Sequence, residues 1–308
     1  MSQKEVPSRV VLLGSITEDI ITQPGGKIFR SLGGVLYQAS VFCALGRRIE
    51  LWAHLGENLA EEFQKLTKNW FSLDITGVKV VPQPGNRVHL RYPLEGEREE
   101  ILENIVPPLE LKSLIKRLSS RDFLMAVINS GFDFRREDWR RLVERVNCSI
   151  WLDIHSLALE PVLGEPRSYR SLPDWSDWAK GVTWLQANRQ ELACLLGHPT
   201  KQPAFNEMLF FSQKAASLGV KAVVITLGRA GVFLGEGEKG EIFLPPTIVE
   251  AVDTTGCGDV LAAATVIALR EGRPIREALR WGMELAAVAA QVKGVAATFR
   301  SLKASDID

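Results

Sequence analysis

The chain carries no excess of either charge. Lys and Arg total 37, Asp and Glu total 37, and the formal net charge over 308 residues is zero. Nothing in that balance points to nucleic acid or to an anionic membrane surface as a partner. Cysteine is scarce, with Cys43, Cys148, Cys194 and Cys257 the only four. None forms a C-x-x-C pair, and no Cys/His cluster has zinc spacing, which removes the common structural-metal frameworks. Cys43, Cys148 and Cys194 sit among apolar residues and read as small core side chains. Free thiols suit a reducing cytoplasm. Long apolar runs are missing as well. The N-terminal stretch has only Val10 to Leu13, too short for a signal peptide and far short of the roughly 20 residues of a spanning helix. The expectation is a cytoplasmic protein.

What is present is a core-forming composition, 46% hydrophobic and 24% charged, enough for one large α/β domain. Short β-rich apolar runs alternate with longer helical patterns. Strands are expected at Arg9–Leu13, Glu50–Leu55, Phe123–Asn129, Ile150–Ile154, Val182–Gln186, Ala222–Leu227 and Val232–Leu234. Helices are expected at Leu36–Leu45, Ala60–Phe71, Glu110–Leu118, Arg136–Arg145, Arg189–Leu196 and Asn206–Leu218. Doubly buried strands separated by amphipathic helices predict a mostly parallel sheet with helices on both faces. In such sheets ligands sit at the carboxyl ends of the strands. Two stretches break the alternation, at about 20–33 and 85–106. The second reads as extended pieces Arg87–Tyr92 and Glu99–Leu102 around a charged Leu94-Glu95-Gly96-Glu97 turn. Both stretches read as strands leaving the main sheet, either as a β-flap over a site or as a solvated hairpin.

The segment Asp253-Thr254-Thr255-Gly256-Cys257-Gly258-Asp259 follows Ile248–Val252 and precedes an apolar stripe at helical spacing, Val260, Leu261, Ala264, Ile267 and Ala268. The first N–H groups of a helix lack intrahelical partners and the macrodipole is positive there. Gly256 and Gly258 let the backbone approach an anion, so the segment reads as a phosphate cradle. Asp253 or Asp259 could simply cap the helix. A cap needs one such residue, however, and a carboxylate beside an anion site suits a base that deprotonates a hydroxyl attacking the phosphate.

This D-T-T-G-C-G-D segment resembles the C-terminal signature, D-T-x-G-x-G-D, of the ribokinase-like (phosphofructokinase B) carbohydrate kinase family. The resemblance implies one ribokinase-like domain over residues 1–308, a three-layer αβα fold with a mostly parallel sheet and a small β-lid from the two insertions. It implies that Asp259 is the catalytic base and that the N–H groups of Gly256, Cys257 and Gly258 form the anion hole. Other elements match in order. Asp19, after the Val10–Leu13 run, resembles the family's substrate-binding Asp; taken alone it would read as a turn residue. Gly33 and Gly34 with Gln38 resemble G-G-x-x-x-N, with Gln where Asn is usual. Asn188 and Glu191 resemble N-x-x-E, whose role concerns the magnesium-bound phosphates through water; they also fit a helix capping box. Thr226, Gly228 and Gly231 resemble the T-L-G-x-x-G nucleotide loop. Ala289, Val292 and Gly294 resemble a segment whose carbonyls, with Asp253 and the carbonyl of Thr255, hold K⁺ in some members. The family often carries D-x-N-x-R where this chain has Asp153-Ile154-His155-Ser156-Leu157.

The expected function is transfer of the γ-phosphoryl group of ATP, with Mg²⁺ and with K⁺ as a further cofactor, to a hydroxyl of a sugar-like small molecule. A nucleoside or vitamin-like alcohol kinase of the same fold, or a non-catalytic nucleotide or sugar sensor, are the alternatives. A homodimer through the lid is the implied assembly.

Overall fold

A computed structural model describes residues 9–23, 25–93 and 99–305. The Leu94–Glu97 turn expected above lies outside the described residues. The strands in chain order are β1 (Val10–Leu13), β2 (Ile16–Thr22), β3 (Ile28–Gly34), β4 (Ile49–Gly56), β5 (Leu73–Val81), β6 (Asn86–Arg91), β7 (Glu99–Leu102), β8 (Phe123–Val127), β9 (Ser149–Asp153), β10 (Trp184–Asn188), β11 (Ala222–Thr226), β12 (Val232–Glu236) and β13 (Lys239–Phe243). The helices are α1 (Leu36–Ala44), α2 (Ala60–Thr67), α3 (Lys112–Arg117), α4 (Arg136–Arg145), α5 (Trp175–Ala179), α6 (Arg189–Leu195), α7 (Phe205–Ser217), α8 (Cys257–Arg270), α9 (Ile275–Ala289) and α10 (Gly294–Ala304).

Nine strands form the large sheet in the order β13-β12-β11-β10-β9-β8-β1-β4-β5. It is parallel from β11 through β5, and β12 and β13 add an antiparallel edge. Alternation along β1 divides the core. Val10 and Leu12 pack with α1, α2, α8, α9 and α10, whereas Val11 and Leu13 pack with α3 to α7. That is the three-layer αβα arrangement expected from the doubly buried runs. Among the described residues no helix is long and apolar enough to cross a membrane.

β5 and β13 were not expected. Both are edge strands, and their half-exposed faces break the apolar run that marks a buried strand. β5 also carries Gly77, where a Cβ would stand 2.6 Å from the Trp52 ring.

The second sheet has the order β3-β2-β6-β7. Its first strand starts at Ile16, earlier than the expected break, because the chain passes from β1 to β2 through Gly14 and Ser15 alone. A Cβ on Gly14 would lie 2.5 Å from Val35 and 2.7 Å from the Val127 carbonyl. The chain returns through β3 and Val35 directly into α1, so the start of α1 is carried to the carboxyl ends of β1 and β8. The small sheet has its own core of Ile21, Val88, Leu90 and Leu102.

Glu18, buried in β2, ties three strands together. It accepts from Arg87 on β6 at 2.8 Å and from Arg30 on β3. Burial opposes its ionisation, but the bonds from Arg87 and Arg30 outweigh it and hold the carboxyl below the ordinary glutamate range. A depressed acid stabilises the fold above its unfolded pKa, and that contribution is lost as pH falls through the folded value. Both arginines are more than a third exposed, so solvent screens the pair. Glu18→Gln should cost about 1–2 kcal/mol at neutral pH by urea denaturation. The gap to the parent should close as pH falls through and below the ordinary glutamate range and the parent's Glu18 protonates.

Candidate active site

The DTTGCGD segment forms the turn into α8. Asp253 Oδ1 accepts from the Thr255 N–H at 2.9 Å, closing the turn, while its Oδ2 is buried with no hydrogen-bond partner among the described residues. Gly256 caps α8 in the left-handed region, φ 82°. A Cβ there would stand 2.2 Å from the Tyr37 ring, so packing against a buried aromatic demands glycine at this position. Gly258 differs, since the nearest atom to a Cβ there is the Gln186 amide nitrogen at 3.7 Å, an ordinary contact. Of the three N–H groups expected to face an anion, that of Cys257 donates to the Thr254 carbonyl at 3.2 Å. Those of Gly256 and Gly258 belong to a first turn that has no preceding helical carbonyl to bond. Burial, with Asp253 and Asp259 nearby, pushes the Cys257 thiol up to about 12. That removes it as a nucleophile at neutral pH.

Asp259, in the first turn of α8, is buried and lines a small cavity of about 50 Å³. Asp19, Gly34, Thr255 and Gly256 line the same cavity. Residues from two distant stretches of the sequence, 19–34 and 255–259, therefore meet between the small sheet and the start of α8. Asp19 does not follow a strand, as expected, but lies within β2, paired to β3 on one side and β6 on the other. Thr17 donates to its Oδ1 at 2.6 Å. The glycines of the G-G pair are also explained by the protein's own packing. A Cβ on Gly33 would fall 1.9 Å from Asp19 Oδ2, and one on Gly34, at φ 61°, 2.2 Å from the Ser15 carbonyl. Gln38, on the first turn of α1 and fully buried, does not line the cavity. Its amide donates to Asp259 Oδ1.

A second group stands along the carboxyl ends of β9 to β11. Asn188 and Thr226 end β10 and β11 in register. Asn188 and Glu191 form the expected capping box. The Glu191 N–H donates to Asn188 Oδ1 at 2.8 Å, and Glu191 accepts from the Asn188 main chain at 2.7 Å and from its side-chain amide at 2.6 Å. Gly228 and Gly231 both have positive φ, 58° and 96°, and a Cβ on Gly231 would meet the Phe243 carbonyl at 1.9 Å. None of these five residues lines the cavity around Asp259.

Several residues in or beside the site were not expected. Gln186 on β10 donates to Asp153 Oδ2 at 2.8 Å and to the Gly258 carbonyl at 3.1 Å, fastening the start of α8 to the sheet. Burial, joined by the charges of Glu191 and Asp259, pushes the Asp153 carboxyl well above the ordinary range. Tyr37, Glu100 and Asn129 line the cavity, and so does His155, read above as a departure from the motif. His155 holds a strained φ of 31°, and its Nδ1 lies 2.9 Å from the Ser156 hydroxyl. Tyr92 reaches the Thr255 hydroxyl at 2.8 Å, joining the small sheet to the α8 turn. Only Asp153 and His155, which fall on the D-x-N-x-R stretch, left a trace in the sequence. The others depend on long-range pairing.

The structure is thus an α/β protein with an acid and a helix N-terminus facing a cavity at the carboxyl edge of its sheet. Residues 155–301 match the family model described as pfkB family carbohydrate kinase. The ribokinase of Arabidopsis thaliana is 35% identical over 180 residues, covering 58% of this chain and 45% of that protein. The cytidine kinase of Thermococcus kodakarensis is 23% identical over 284 residues, covering 90% of this chain and 94% of that protein. The chain spans less than half the length of the ribokinases it matches. The structure of Arabidopsis thaliana ribokinase complexed with ribose and ATP superposes with a TM-score of 0.72 at 21% identity, over 97% of this chain and 100% of that one. The C-terminal half of the chain is thus similar to the pfkB carbohydrate kinases, and the fold is the three-layer ribokinase-like one with a small second sheet.

The two motif glycines should separate on substitution. Gly256→Ala meets both the Tyr37 ring and an unfavourable φ, and should cost about 2–4 kcal/mol in urea denaturation. Gly258→Ala, with room for its methyl group, should change stability by less than about 1 kcal/mol.

Proposed function

We propose that the protein transfers the γ-phosphoryl group of ATP to a hydroxyl of a sugar-like polyol, with Asp259 as the base. The observation that carries this reading is the convergence of Asp259, Asp19 and the start of α8 on one cavity. A hydroxyl placed there, held by Asp19, would have a carboxylate beside it to take its proton and a helix N-terminus to receive the developing phosphoryl charge. Gln38 acts as a positioning residue. Its amide donor holds one oxygen of Asp259 in place.

The donor side is assigned to Asn188, Thr226, Gly228, Gly231 and Thr255, at the strand ends and the α8 turn. Among the described residues no group of three or more His, Cys, Asp or Glu is arranged to hold a metal, and both Glu191 oxygens accept from Asn188. This chemistry suits Mg²⁺ carried on the donor phosphates, with Glu191 acting through water. Bound there, Mg²⁺ would neutralise phosphate charge. Asp253 suits a monovalent cation, because its orphaned, buried Oδ2 faces no protein donor among the described residues. K⁺ would complete its coordination together with main-chain carbonyls of Thr255, Ala289, Val292 and Gly294.

Asp259→Asn should lower kcat by at least about 100-fold while ATP still binds, as read by coupled ADP release and by calorimetry. Near-normal turnover in that variant would remove Asp259 from its role. Tight ATP binding by the parent with no ADP release on any alcohol would favour a sensor.

A further inference from the structure

Three carboxylate residues, Asp19, Glu100 and Asp259, line the cavity, and among its described lining residues none is Lys or Arg. Tyr37 and Asn129 line it too and are more than nine-tenths buried. The Tyr37 hydroxyl and the Asn129 amide oxygen have no hydrogen-bond partner among the described residues. Buried polar atoms left in this way are costly. Their convergence with carboxylates points to a ligand rich in hydroxyl groups and poor in negative charge.

Glu100 is the member of this set that neither motif nor mechanism accounts for. It lies on β7, the edge strand of the small sheet, with its side chain 5% exposed, and its Oε1 accepts at 3.1 Å from Arg167, whose side chain is 0% exposed. Arg167 is itself held by the Glu160 carbonyl at 2.8 Å. The segment carrying it runs along the edge of β7. The Arg167 N–H donates to the Glu100 carbonyl and the Gly164 N–H to the Leu102 carbonyl, both at 2.8 Å, and Ile101 bridges to Pro166. An edge strand is thus covered and one of its side chains locked by a buried ion pair. Such pairs are weak sources of stability because desolvation offsets attraction. Fixing a charge at a binding cavity is a sufficient reason to build one.

We infer that Glu100, positioned by Arg167, is a specificity-determining residue of the acceptor cavity, which takes an uncharged polyol and rejects acceptors bearing a carboxylate or phosphate. The inference rests on the proposed acceptor site. Arg167 offsets part of the Glu100 charge, but Asp19, Glu100 and Asp259 together facing an anion a few Å away in a partly desolvated cavity are worth about 100-fold in discrimination. Hydroxyl donors of a neutral polyol would instead bond to it.

The test is coupled ADP release with matched acceptors, neutral sugars and polyols against the corresponding sugar acids and sugar phosphates. The parent should favour the neutral member by about 100-fold or more in kcat/KM. Glu100→Gln should raise KM for the neutral acceptor about 10-fold with kcat little changed, and narrow the discrimination about 10-fold. Should the single variant fail to fold around an unpaired Arg167, Glu100→Gln/Arg167→Met removes both charges and carries the same expectations. Unchanged KM and discrimination, or a parent that prefers the anion, would overturn the role of Glu100 and leave phosphoryl transfer standing. If no acceptor releases ADP but polyols bind by calorimetry and Glu100→Gln weakens them, transfer falls and Glu100 keeps its role. Neither release nor polyol binding would overturn both.

Discussion

The hydrogen bond from the Gln38 amide to Asp259 joins two parts of the chain 221 residues apart, and the remainder of the site is arranged around it. One partner is set by the return of the small sheet into α1, the other by the turn into α8. Neither element could shift without separating them. Tyr37, the neighbour of Gln38, packs where a side chain on Gly256 would stand, so the same two elements are also in steric register. Gln186 secures the α8 turn from the sheet side through Asp153 and the Gly258 carbonyl. Polar networks of this kind are worth their desolvation only when their members are held together. Here the α8 turn is gripped from α1 and from β10.

This arrangement changes what the glycines mean. Gly33, Gly34 and Gly256 each stand where a methyl group would strike a protein atom, namely Asp19, the Ser15 carbonyl and the Tyr37 ring. They let β2, β3, α1 and the α8 turn approach one another. Gly258, unlike Gly256 in the same segment, has room for a side chain, and helix propensity would favour alanine there. Packing therefore does not require glycine at this position.

Much of the fold was legible because it is local. Doubly buried runs such as Phe123–Val127 and Ala222–Thr226 announce themselves by composition, and Asn188 with Glu191 announces a capping box by spacing. Edge strands β5 and β13 did not, because half-exposed strands carry polar residues. In the site, Asp259, Asp19 and the glycines were legible through a motif. The partner of Gln38 was not, since a bond spanning most of the chain leaves no local pattern. Glu100 and Arg167 were invisible for the same reason. Glu100 reads as one of several charges in a hairpin, and it is buried where β7 meets β6 and the segment after Leu159.

The central claim is that this geometry moves a phosphoryl group onto a hydroxyl. The most direct measurement is ³¹P NMR of the protein with ATP, Mg²⁺, K⁺ and a mixed panel of neutral sugars, polyols and nucleosides. The account predicts a new phosphate monoester resonance growing in step with ADP. ADP accompanied only by inorganic phosphate, or an ATP spectrum that does not change while the nucleotide is bound, would contradict it.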